Sequence, residues 1–140
     1  MAVQIEIKAP NLDSFLRKMR KFPNVAVRSL NRALNKTLLQ YEREVKILTP
    51  VDTGRLRGAY RKRVFGLTGA VFNRVPYGEA VHNLHPVGQP YKPRGAGVKG
   101  KKNPRARAGF VVLAVEKVNE KVEDIFKKEM DKGLEEISNI

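Results

Sequence analysis

The sequence predicts a single α+β domain over residues 1–140, with a small antiparallel sheet and helices packed on one face. Two long stretches, one before residue 49 and one after residue 109, repeat apolar residues every three or four positions, which is typical of amphipathic helices. Between them, apolar residues alternate with polar ones, as in half-buried strands. The length allows one modest core.

Two helices are predicted in the first third of the chain. Residues 3–7 alternate apolar and polar side chains, so a short strand precedes them. The first helix is short, with Asn11 or Asp13 as its cap, and Pro23 interrupts it because proline does not fit a helix interior. The second helix is long and ends at Leu48. Its apolar stripe consists of Val27, Leu30, Leu34, Leu38, Tyr41, Val45 and Leu48.

A tight corner is predicted where the long helix ends, followed directly by a basic strand. Pro50 stops the helix and restricts the residue before it. Asp52 and Thr53 can hydrogen-bond to their own backbone in a turn, and Gly54 can adopt a positive φ without strain. The structural corner therefore consists of Pro50, Asp52, Thr53, Gly54 and Leu56.

The second half of the chain is predicted to contain a β-hairpin, a loop and a helix. The hairpin has its turn near Gly66 to Gly69, and residues 77–83 form a short helix or turn. The last helix begins near Phe110. Its apolar stripe consists of Val111, Val115, Val118, Val122, Ile125, Phe126, Met130, Leu134 and Ile137.

Residues 84–109 form a long basic loop rich in proline and glycine. No acidic residue occurs between Glu79 and Glu116. Long loops without secondary structure are usually functional or disordered, and like charges keep such a segment extended in isolation. We expect this loop to become ordered on assembly with a partner.

The charge of the chain points to an anionic partner. The 28 Lys and Arg residues against 14 Asp and Glu give a net charge of +14. Nucleic acid, a membrane surface or an acidic protein face would suit it. The candidate contact residues are Arg55, Arg57, Arg61, Lys62, Arg63, Lys92, Arg94, Lys99, Lys101, Lys102, Arg105 and Arg107. The aromatic residues available for stacking on bases are Tyr60, Phe65, Tyr77 and Tyr91.

The residue pattern argues against an enzyme, and we expect no catalytic residue, cofactor or metal. His82 and His85 are the only histidines, and no carboxylate pair lies near them in the sequence. An Asp-Thr-Gly protease motif would need a second copy, which the chain lacks. There is no phosphate-binding Gly-Lys-Ser/Thr loop. Cysteine is absent, which excludes disulfides and thiolate metal sites. No apolar stretch is long enough to span a bilayer, and the alternating N-terminus does not have the pattern of a signal peptide.

The corner carries a family resemblance. A long helix that ends in Thr49-Pro50-Val51-Asp52-Thr53-Gly54-Arg55-Leu56-Arg57 resembles the tail-completion, or head–tail joining, neck proteins of lambdoid-type tailed phages and prophages. That family has a Pro-x-Asp-Thr-Gly-x-Leu corner, then a Tyr-(Ala/Gly)-x-x-Val segment, met here by Tyr77-Gly78-Glu79-Ala80-Val81. Two features depart from it. His82-Asn83-Leu84-His85 replaces the Glu-(Phe/Tyr)-Gly-Thr of many relatives, and Ala108-Gly109-Phe110-Val111 replaces their Pro-Phe-(Leu/Phe)-x-Pro-Ala segment.

The resemblance implies a non-enzymatic virion protein, assembled in the host cytoplasm and located in the neck or tail. Its partners would be its own copies in a ring of six or twelve, the head connector or stopper, and the tail-tube or tail-terminator protein. Passing DNA would be a transient contact, and no membrane is involved. We expect the Lys92–Arg107 loop to contact protein, because tight DNA binding would slow ejection. The alternative is a small basic protein that binds nucleic acid without reading its sequence.

Overall fold

The computed structural model describes residues 2–3, 11–51, 55–66, 68–91, 103 and 105–139. The α+β class is confirmed, as is an antiparallel sheet with helices packed against it. Among the described residues, neither long helix has the continuous apolar stretch that a membrane crossing requires. The elements in chain order are β1 (Ala2–Val3), α1 (Leu12–Lys18), α2 (Pro23–Leu48), α3 (Arg55–Gly58), β2 (Arg61–Phe65), β3 (Thr68–Phe72), α4 (Gly78–His82) and α5 (Phe110–Ser138).

The sheet has the strand order β1-β3-β2, so β2 lies at an edge. All pairings are antiparallel, and Phe65 pairs with Thr68 across a two-residue connection. Gly66 has a φ of 60°, as the turns of such short hairpins require. The prediction of the hairpin is confirmed, but its turn is shorter than predicted, because Gly69 belongs to β3.

Helix α2 begins with Pro23 in its first turn, where the backbone N–H that proline lacks would have no partner within the helix. It ends at Leu48, and Thr49 before Pro50 is extended, with φ −76° and ψ 130°. One stripe residue was predicted wrongly, since Val27 is 46% exposed while Val25 beside it is buried. Asn11, one of the two predicted caps of α1, is its N-cap residue, but its side chain makes no capping hydrogen bond.

Helices α2 and α5 pack along each other and run antiparallel. Ion pairs join Arg28 near the start of α2 to Glu136 near the end of α5, and Glu44 to Lys117 at the opposite ends. The sheet packs on a different side of α2, where a Cβ added to Gly69 would meet the side chain of Leu38. A continuous apolar core therefore centres on α2, with α5 and the sheet around it.

The segment after the corner is helical where a strand was expected. Residues Arg55–Gly58 form the single-turn helix α3, and β2 begins only at Arg61. The turn buries Leu56, which is 4% exposed, and the Asn73 side-chain amide donates a 2.8 Å hydrogen bond to the Leu56 carbonyl oxygen. Of the predicted corner residues, Asp52, Thr53 and Gly54 lie outside the described part of the chain.

Both described ends of the basic loop are held within the subunit. The Gly88 N–H donates to the Ala108 carbonyl oxygen at 2.9 Å, and the Arg107 N–H donates to the Leu48 carbonyl oxygen at 3.0 Å. Pro90 and Arg107 form an isolated antiparallel bridge. The expectation that residues 84–109 become ordered on assembly stays a prediction, and residues 92–102 of this loop lie outside the described residues.

Candidate functional site: the open face of the sheet

Helix α2 covers one face of the sheet, and the described residues on the other face are exposed or partly buried. Side chains alternate between the two faces of a strand, and cross-strand partners share a face. Gly69 and the buried Val71 face α2, so Arg61, Arg63 and Phe65, which lie at the alternate positions of β2, face away from it. These three residues are exposed, and Phe65 is 79% exposed. We call the surface formed by Arg61, Arg63, Phe65, Ala70 and Phe72 the open sheet face.

A basic depression of about 300 Å³ lies at one end of the open sheet face. The Arg61 guanidinium lines it and donates hydrogen bonds to the carbonyl oxygens of Gly58 and Tyr60, at 2.9 and 2.8 Å. The Arg74 guanidinium lies 5.3 Å from the centre of the Phe72 ring. The guanidinium groups that line the depression are therefore positioned by backbone carbonyl oxygens, in the case of Arg61, and by an aromatic ring, in the case of Arg74. Its lining residues are Arg55, Ala59, Arg61, Phe72, Arg74 and Val75.

The arginines of the depression are suited to an anionic ligand. Neither Arg61 nor Arg74 forms an ion pair with a carboxylate of the described residues. Arg55 lies over the ring of Tyr77, 5.7 Å from its centre. Guanidinium groups form paired hydrogen bonds with the oxygens of phosphates and carboxylates. The arginines of the depression are therefore suited to binding a phosphate or carboxylate group.

The charges of the protein are segregated. Helix α5 carries eight of the 14 acidic residues and five of the 28 basic ones, so its net charge is −3 and that of the remaining chain is +17. Four exposed acids at helical spacing, with Lys127 among them, lie along the side of α5 that faces away from its buried stripe. This acidic row consists of Glu116, Glu120, Glu123 and Asp131.

The predicted contact residues do not all share one surface. Arg55 and Arg61 line the basic depression, and Arg63 lies beside them on the open sheet face. Lys62 pairs with Val71, so it belongs to the α2 side of the sheet, at its edge. Arg57 is exposed on α3, whereas Arg105 and Arg107 lie on the returning end of the loop. The remaining predicted residues, Lys92, Arg94, Lys99, Lys101 and Lys102, lie outside the described residues.

The sequence reading missed one residue and misjudged another. Arg74 was not singled out, although it follows Phe72 by two positions, the period that places strand residues on one face. Tyr60 was expected to stack on bases but is 3% exposed. Its hydroxyl lies 3.0 Å from that of Thr49, and burial raises the pKa of Tyr60 above its ordinary value of 10. Tyr91 donates to the Val81 carbonyl oxygen at 2.6 Å, and burial raises the pKa of Tyr91 to about 12.

A buried carboxylate joins α2 to α5. The Glu129 side chain on α5 is 1% exposed and accepts a hydrogen bond of 3.1 Å from Arg32 Nε and another from Lys36 Nζ, both on α2. Lys132 Nζ lies 3.5 Å from the same carboxylate. Burial alone would raise the pKa of Glu129, but the hydrogen bonds from Lys36 and Arg32 and the charges of Lys36 and Lys132 outweigh it and hold the pKa below its ordinary value.

Comparisons of the chain with protein-family models, with curated proteins and with solved structures found no match.

The two histidines do not belong to the open sheet face, and each of their rings packs against an aromatic side chain. His82 makes an edge contact with the Phe110 ring at 4.8 Å, and His85 makes one with Tyr91 at 5.5 Å. Within the described ranges, no three His, Cys, Asp or Glu side chains converge in a way that could hold a metal ion. Both rings pack against aromatic neighbours where the basic loop leaves and rejoins the fold.

Proposed function

We propose that this chain is a structural subunit of the phage neck. It would act as a tail-completion or head–tail joining protein, assembled as a ring of six or twelve copies between the head connector and the tail tube. The motif resemblance around Pro50 to Leu56 suggests this role. The geometry is consistent with it, since Pro50 and Leu56 serve to end α2 and to seat α3 in the core.

The observation that carries the proposal is the acidic row on α5. On a protein with a net charge of +14, a row of exposed acids can contact a basic partner surface. Ring assembly requires two different complementary surfaces on each copy, so that each subunit binds the next head to tail. The acidic row supplies one such surface. The predicted partner surface is the basic Lys92–Arg107 loop of the next copy, or a basic neighbour in the neck.

The two long helices supply the rigidity that a joining subunit needs. Glu129, buried between α2 and α5, fixes their relative position through Arg32 and Lys36. Gly133 allows close approach of the helices, because an added Cβ would meet the Ser29 side chain. The acidic row is thus presented on a support that is locked to the core, which lowers the entropy cost of assembly.

Electron microscopy of the purified protein, with and without tails, tests the proposal. We expect rings, or single subunits that attach to the ends of tails. The variant E120K/E123K should lose this assembly, because it reverses the charge of the acidic row. The matched control is D13K/E79K, which changes net charge equally at exposed acids outside α5 and should assemble normally.

Two outcomes would contradict the proposal. One is a protein that forms no ring and attaches to no tail. The other is equal loss of assembly in the variant and its control, which would show that net charge alone decides the result. A monomer that binds nonspecific DNA with submicromolar affinity at physiological salt would favour the alternative, a free nucleic-acid-binding protein, since nonspecific binding is normally about 100 μM to 1 μM there.

A further inference from the structure

The open sheet face is a second charged surface, separate from the acidic row that carries the assembly proposal. Its arginines lie on β2 at alternate positions, so Arg61 and Arg63 stand about 6.7 Å apart along the strand. Arg55 and Arg74 extend the positive surface at the depression. Phe65, at the hairpin end of the same strand, leaves 79% of its surface in water.

We propose that the open sheet face binds the phosphodiester backbone of nucleic acid without reading its sequence. Arg61, Arg63 and Arg74 contact successive phosphates, and the ring of Phe65 stacks on an unpaired base where the strand is single. The inference concerns the single subunit. It does not depend on ring formation.

The arrangement of the arginines favours nucleic acid over an acidic protein surface. Arg61 and Arg63 lie two positions apart on one face of β2, and the described residues that form this face include no carboxylate, which suits a polymer of repeated phosphates. The Arg61 guanidinium is positioned by the Gly58 and Tyr60 carbonyl oxygens and is therefore already ordered before binding.

Binding of fluorescently labelled duplex and single-stranded oligonucleotides, measured over a range of salt concentrations, tests the proposal. The variant R61A/R63A should weaken binding to both forms by about tenfold or more at low salt. The slope of log affinity against log salt should also become shallower by about one to two units, because each lost phosphate contact removes about 0.9.

A matched variant separates the site from the overall charge. K121A/K128A removes two exposed positive charges from α5 and should change affinity by less than about threefold. F65A should weaken binding to the single strand and leave duplex binding unchanged, because only unpaired bases can stack on the ring. Thermal melting of each variant confirms that the fold is retained.

Three results would overturn the inference. The first is absence of binding by the unmodified protein at low salt. The second is equal weakening in R61A/R63A and K121A/K128A, which would assign binding to net charge. The third is unchanged DNA binding in R61A/R63A together with lost self-association, which would make the open sheet face a contact between copies. The first two results leave the assembly proposal untouched, and the third would add the open sheet face to the surfaces that join copies. The acidic row itself is tested separately by E120K/E123K.

Discussion

The side-chain amide of Asn103 lies 2.6 Å from the carbonyl oxygen of Ile47, and it donates a second hydrogen bond of 2.9 Å to the carbonyl oxygen of Thr49. The last carbonyl groups of a helix have no partner within the helix. Asn103 and the backbone N–H of Arg107 supply partners at the end of α2. The basic loop therefore returns to the corner and caps the long helix.

Replacing Asn103 by alanine should loosen the returning end of the loop. We expect a loss of about 1–2 kcal/mol in the free energy of unfolding, because two partly buried carbonyl groups lose their donor. Amide hydrogen exchange at Arg107 and Ala108 should accelerate, while exchange in the centre of α5 stays unchanged. Unaltered exchange at both residues would show that Asn103 does not hold the loop.

Replacing Glu129 by glutamine should weaken the contact between α2 and α5. We expect a loss of about 1–3 kcal/mol at neutral pH, because the buried side chain gives up charge-assisted hydrogen bonds from Arg32 and Lys36. Chemical denaturation measures the loss. The control is Glu135→Gln, an exposed change on the same helix that should stay within about 0.5 kcal/mol of the unmodified protein. A loss no larger than in the control would contradict the assigned role.

The Glu129 carboxylate should also make the stability of the fold depend on pH. The pKa of Glu129 is lower in the folded protein than its ordinary value of 4.5, so its contribution is complete above that value and disappears as the pH falls through the lowered folded pKa. The difference in stability between the unmodified protein and Glu129→Gln should therefore shrink below pH 4.5. A difference that stays constant with pH would mean that Glu129 is not ionised in the fold.

Replacing Gly133 by alanine should destabilise the helix pair by at least about 1 kcal/mol, even though alanine is the better helix former. An added Cβ would meet the Ser29 side chain and would lie 3.1 Å from Met19 Cε. Gly58→Ala is the control, since no atom lies within 4 Å of a Cβ added there. Thermal unfolding of both variants decides the matter, and equal melting temperatures would rule out close packing at Gly133.

Replacing Tyr60 by phenylalanine should cost about 1 kcal/mol. The Thr49 hydroxyl donates to the Val45 carbonyl oxygen, so the Tyr60 hydroxyl is the donor in the bond between Tyr60 and Thr49. Tyr77→Phe, at a ring that is 40% exposed, should have little effect. Denaturant unfolding of the two variants provides the comparison, and an equal effect would show that the buried bond contributes nothing.

The long helices could be predicted from the sequence because their apolar period is sustained over many turns. Phe110 was predicted as the start of the last helix, and it is the first residue of α5. Val27 continues the apolar stripe of α2 in sequence but is exposed. The helical period identifies the apolar side of α2, but it does not reveal how far along the helix the elements that pack on that side extend. The segment at Leu56 was misread since one helical turn buries that side chain as well as a strand would.

The contacts of the site depend on distances along the chain that no local pattern reveals. Asn103 meets Ile47, and Glu129 meets Arg32, across 56 and 97 positions. The basic character of β2 was predicted, but its edge position and open face follow from the pairing of β3 between β1 and β2. Arg74 lines the depression because it follows β3, and the place of β3 in the sheet is again a property of the fold.

The most direct test of the neck assignment is the assembly of virus particles without this chain. Particles are prepared from the genome that encodes it, with its gene deleted, and are examined by electron microscopy. If the chain is a neck subunit as proposed, these particles will be filled heads and separate tails, which join when the purified protein is added. Joined particles in the absence of the protein, or heads and tails that stay separate after its addition, would contradict the account.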